Sequence, residues 1–155
     1  MDDEQYHQAR SAIEQPHCCY EKAIQHGYFR CQWQRSVALG ERESLHCTRP
    51  TAFADCETFY SMTLKQSGFA LGTARMPMHL SFNRAMKVQI GGLHGVIGMA
   101  GKPVIDPGQQ WATGLQDISD ELAQLKQRIG GSFDYMDFSE IMPQISGFST
   151  RKRRK

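Results

Sequence analysis

Apolar positions along this chain recur mostly at helical spacing, and few stretches alternate apolar and polar residues with a period of two. The pattern predicts an all-α protein. Residues 2 to 14 open with Asp2, Asp3 and Glu4, which suit the positive end of a helix dipole; Tyr6, Ala9 and Ile13 then share a face, and Pro16 marks the end. "CYEKAIQHG" reads as a short helix closed by Gly27, and "ADCETFYSMTLKQSG" as another, with Asp55 as N-cap and Gly68 past its end. That start would put Cys56 in a first helical turn, where free backbone N–H groups favour a thiolate.

A loop is expected at "ARMPMH", then a helix over residues 81 to 90, capped by Ser81 and stopped by Gly91 and Gly92. "GGLHGVIGMAGKPVIDPG" holds six glycines and two prolines, which predicts loops and short turns. It lacks the G-x-x-x-x-G-K-[ST] of a phosphate loop, and its glycines suit a close helix-to-helix crossing better. The clearest expected helix covers 107 to 129. Asp106 would cap it, Trp111, Leu115, Ile118, Leu122, Leu125 and Ile129 would form one stripe toward the core or a partner, and Gly130-Gly131 would end it. A last short helix fits "DFSEIMPQ", where Asp137 and Glu140 have capping-box spacing.

Composition places these elements in one domain. The 155 residues are about the size of a single domain, with 40% apolar and 22% charged residues, close to globular averages. Charges or glycines interrupt every apolar run well short of the roughly 18 residues a membrane helix needs. The acidic, polar start "MDDEQYHQAR" is unlike a secretory signal, so a cytoplasmic protein is expected. The net charge of +2 is uneven, because "RKRRK" supplies five of the 18 basic residues and leaves a mildly acidic body over 1–150. The tail, Arg151, Lys152, Arg153, Arg154 and Lys155, is a candidate arm for nucleic-acid phosphates.

The five cysteines change this picture most. All lie between residues 18 and 56, and the 99 residues that follow contain none. Reduced, clustered thiols in the cytoplasm point to metal or redox chemistry more than to disulfides. Cys19, Cys31, Cys47 and Cys56 make a four-thiolate set, with Cys18 as the alternative to Cys19, since neighbouring side chains diverge and one would face the site. From Cys19 the gaps are 11, 15 and 8 residues, without the C-x2–4-C knuckle usual for structural zinc. Widely spaced single ligands suit a larger object held between several elements. A [4Fe-4S] cluster is therefore favoured over zinc, which remains the alternative, with His17, His26 or His46 as a possible fourth donor.

Tyr20, Tyr28, Phe29, Trp33, Phe53, Phe59 and Tyr60 would shield such a site, and Arg30, Arg35, Arg42 and Arg49 would offset its charge. "MPMH" offers soft ligands for copper, but methionine more often fills core gaps. No G-x-S-x-G, H-E-x-x-H or comparable catalytic arrangement is present. In layout, a small helical body with cluster cysteines and a basic C-terminal tail, the chain resembles the WhiB-like iron–sulfur regulators. Those carry a C-x2-C pair that is missing here, so no residue role carries over. The expectation is a small iron–sulfur protein acting in electron transfer or redox sensing with a protein partner. The alternatives are a zinc-stabilised interaction or nucleic-acid-binding module, and a metal-free accessory subunit docking through the helix at 107–129.

Overall fold

The computed structural model describes residues 1–71, 80–108 and 114–150. The loop expected at "ARMPMH", part of the helix expected from 107 and the basic tail Arg151, Lys152, Arg153, Arg154 and Lys155 lie outside those residues.

The acidic start does form a helix, α1 (Asp3–Ser11), closed by a full capping box: Asp2 accepts from the Gln5 N–H and Gln5 reaches back to Asp2. A short α2 (Glu21–Gln25) follows, and Gly27 turns the chain with a φ of 78°. The all-α expectation fails at the next segment. Residues Gln34–Leu39 (β1) and Arg42–Cys47 (β2) pair as an antiparallel hairpin, so the fold is mixed α/β. Leu39 faces Arg42, which leaves a two-residue turn with Gly40 at φ 66°, the glycine-first pattern that matches a hairpin's twist. An isolated hairpin is marginal in water. Here α1 covers it, with Tyr6 buried, the Arg42 guanidinium 3.6 Å over its ring and Arg42 paired with Asp3 at 2.6 Å.

The helix expected from Asp55 starts earlier and runs on, as α3 (Pro50–Ala70). Asp55 is therefore no cap but pairs with Lys126 at 2.9 Å, and Cys56 lies in the second turn instead of the first. Thr63 and Ser67 are buried on α3 because their hydroxyls bond back to the carbonyls of Phe59 and Thr63.

Ser81 caps α4 (Phe82–Met86) as expected, but Gly91 and Gly92 do not stop it. The chain continues through a π-helical turn (Lys87–Gly91) into α5 (Gly92–Met99), so the first half of the glycine-rich stretch is a largely buried helix rather than loops. Its glycines allow contact instead. A Cβ at Gly91 would stand 2.6 Å from the Gln144 carbonyl oxygen and from the Ile145 Cα, and one at Gly95 2.5 Å from Ile141 Cβ. Those partners introduce or belong to α7 (Met142–Gly147), which crosses the rod directly.

The helix expected over 107–129 is shorter in its described part: α6 covers Ile118–Arg128, and Asp117 is its cap. The predicted stripe holds there, with Ile118, Leu122 and Leu125 buried, and glycines at 130 and 131 end it with positive φ. "DFSEIMPQ" divides into a 3-10 turn (Phe138–Glu140), capped by Asp137, and the start of α7. Phe59, Val88, Ile90, Leu93, Ile97, Leu122, Leu125, Ile141 and Ile145 form the centre of the core.

A candidate metal centre at the base of the hairpin

The cysteines sit on four separate pieces of this fold. Cys18 and Cys19 form the turn before α2, Cys31 lies between α2 and β1, Cys47 ends β2, and Cys56 is in α3. All five are free thiols, and all five line one cavity with Tyr20, Trp33, Phe53 and Ile118. The expected division of the doubled cysteine, one facing the site and one outside it, is not what the structure has, because both reach the cavity. The cavity is almost without polar surface and measures about 20 Å³, against roughly 10–15 Å³ for one water. That is a space little larger than one water.

Backbone pairing sets these positions. His17 and His46 oppose each other as an antiparallel bridge, with the Cys18 N–H donating to the Leu45 carbonyl at 2.9 Å and the Cys47 N–H to the Pro16 carbonyl at 2.9 Å. Alternation along such a strip puts Cys18 and Cys47 on the face opposite the two histidines. The buried Glu21 carboxylate locks this register by accepting from the Leu45 N–H at 2.9 Å and meeting His17 Nε2 at 2.7 Å. Gln89, from the π-helical turn, accepts the N–H groups of Lys22 and Ala23 and so holds the start of α2.

Cys31 is placed by Asp117. That buried carboxylate caps α6 through the Asp120 N–H at 3.1 Å and takes the Gln32 N–H at 2.8 Å, while Arg30 bridges to the same segment. Sequence reasoning missed Asp117 by choosing Asp106 as the cap. The signal was there, an aspartate directly before the apolar-periodic Ile118, with Asp120 in the first turn.

The environment favours the protonated thiol at Cys18, Cys19, Cys31 and Cys56. Burial chiefly raises Cys18 to about 12, and the neighbouring Cys19, Cys31 and Cys47 add to it against the Tyr20 backbone N–H. Cys19 is likewise pushed up to about 12 by burial, then by Glu57 and Cys47. Burial also raises Cys31, and burial followed by Cys18, Cys19, Cys31 and Cys47 raises Cys56 strongly. Bound cations would reverse this, since a coordinated thiol gives up its proton.

Of the candidate histidines His46 also lines the cavity, with both ring nitrogens already engaged. His46 uses Nε2 on the Ser44 hydroxyl at 2.9 Å and Nδ1 on the Gln15 carbonyl at 2.8 Å, and His26 packs on Phe82. Among the described residues no group of three or more His, Cys, Asp or Glu side chains is arranged to hold a single metal ion.

A second cavity of about 240 Å³ opens on the surface beside the first and shares Trp33, Ala52 and Cys56 with it. Arg49 lies on its rim, 4.6 Å over the Trp33 ring. Among the described residues no helix is long and apolar enough to cross a membrane. No protein-family model matches the chain, and no curated protein or solved structure matches it either.

Proposed function

We propose that this is a small iron–sulfur protein whose cysteine cavity holds one [4Fe-4S] cluster and exchanges electrons with a protein partner. The observation that carries the reading is the convergence of five thiols, from four separate chain segments, on one apolar cavity. Thiols spread round a space, rather than clasped on one point, suit a polynuclear group whose thiolates attach to four separate irons. The cluster supplies one-electron redox chemistry. The chain supplies Cys31, Cys47 and Cys56 as ligands, with Cys18 or Cys19 as the fourth, and an aromatic wall that limits solvent. Between the adjacent pair, the face shared with Cys47 favours Cys18. A partner would approach over the Trp33–Arg49 groove, which shares Trp33, Ala52 and Cys56 with the site.

Anaerobic purification tests this. The expected protein is brown, contains about four irons and four sulfides per chain, and loses its broad visible absorption on reduction. Replacing Cys31, Cys47 or Cys56 by Ser abolishes the colour, Cys18→Ala loses more iron than Cys19→Ala, and all variants keep the far-ultraviolet dichroism of the fold. A colourless protein, with one zinc or none, overturns the reading.

A further inference from the structure

Tyr20 follows the cysteine pair directly, lines the cavity and is 2% exposed. Its ring stands T-shaped against Tyr60, with centroids 5.4 Å apart. A neutral phenol can both donate and accept, and buried polar groups are with few exceptions paired. The Tyr20 hydroxyl is buried with no hydrogen-bond partner. Tyr60, in the same layer, interacts with the Gln89 side chain. Burial chiefly raises the Tyr20 phenol, and the neighbouring Cys56, Cys19, Tyr60 and Cys18 add to it.

Neutral thiol sulfur is a weak acceptor, which leaves the hydroxyl little to bond among protonated cysteines. Thiolate or bridging sulfide is a charged acceptor, and an O–H bond to it is of the strong kind. We infer that Tyr20 donates its phenolic O–H to a sulfur of the bound group and so sets its reduction potential. The inference rests on the cluster reading above. Hydrogen bonds to cluster sulfur stabilise the reduced, more negative state, so this donor raises the potential. Tyr20 acts here as a positioning residue for charge and is not a ligand.

Tyr20→Phe removes this donor and keeps the ring. The expected variant has the iron and sulfide content of the wild type and a lower midpoint potential. The iron–sulfur stretching bands of the wild type shift in resonance Raman spectra on transfer to deuterium oxide, and this response is reduced in the variant. Tyr6→Phe, which removes a buried phenol bonded to the Glu43 carbonyl away from the cavity, is the control and keeps the wild-type potential. An unchanged potential and deuterium response in Tyr20→Phe overturns the inference while leaving the cluster reading intact. Loss of the cluster in Tyr20→Phe makes the residue structural and overturns the tuning role. Wild-type protein without iron overturns the cluster reading first, and this inference with it.

Discussion

One helix, α3, borders two regions built on opposite terms. Phe59 and Thr63 face the core, where Phe59 meets Phe133 and Phe138 and backbones touch through Gly91 and Gly95. One turn earlier Cys56 faces a cavity that no side chain fills. The core is held by contact. The site is held by hydrogen-bonded brackets, the bridge at His17 and His46, Glu21 under the cysteine turn and Asp117 behind Cys31. The difference teaches how a small domain keeps sulfur-lined space open: polar anchors stand behind the walls, and close packing is confined to the core.

The sharpest way to break the contact side is Gly91→Ala. Its new Cβ meets backbone at 2.6 Å, which no rotamer change relieves, so α7 must move off the rod. We expect a loss of about 3 kcal/mol or more, at the upper end for overpacked cores, measured by chemical denaturation. Gly98, on the same rod, has nothing within 4 Å of an added Cβ. Gly98→Ala should instead gain up to about 1 kcal/mol from helix propensity. Equal effects at the two positions would mean the crossing is not where the stability lies.

The bracket side breaks at Asp117. Asp117→Ala removes the α6 cap and the acceptor for Gln32 together, and we expect a cost of about 1–2 kcal/mol, typical of a lost cap. Its effect on the site should be larger than its effect on the fold. Cys31 loses its fixed backbone, so iron retention should fall well below that of wild type under the same reconstitution, while Gly91→Ala protein that remains folded keeps its iron. A variant that loses stability but retains iron as the wild type does would show that packing, not the bracket, places Cys31.

How much of each region could be read from the chain follows the same division. Packing leaves periodic traces, so the α6 stripe and the close approach at the glycine-rich segment were legible in the order of residues. The helical state of that segment was not, because glycine's low propensity argues for loops while burial against α7 overrides it. The hairpin was missed because "QRSVAL" and "RESLHC" alternate only weakly: Ser44 and His46 are as buried as Leu45. The cysteine grouping was legible from count and segregation alone. What places it was only partly legible: the place of Asp117 before Ile118 marks a cap, but its bond from Gln32, like that of Glu21 from Leu45, comes from a backbone N–H far along the chain.

The smallest predicted effect separates the two regions by pH. His94, on α5, is enclosed by Tyr28, Phe29 and Phe148, and its Nε2 is buried without a hydrogen-bond partner. Burial lowers its proton affinity below the ordinary 6.5, against an opposite pull from Asp106. The unfolded chain therefore binds a proton at this histidine that the folded chain refuses. Its contribution to stability is fully present above 6.5 and is lost as pH falls from there through the lowered folded value. Glu21 behaves differently: burial raises its carboxyl, but the bonds from His17 and the Leu45 N–H and the charges of His17 and Lys22 more than offset this, leaving it below 4.5. Its share is lost only as pH falls further, through that lowered value. Between these two ranges the core side responds first, with a slope of at most about 1.4 kcal/mol per pH unit for one proton. His94→Phe keeps an aromatic ring there and removes the titrating group, so its stability, followed by thermal denaturation from about pH 7 to about pH 5, should be flatter than that of wild type. A wild-type slope that survives in His94→Phe would place the acid sensitivity outside the core.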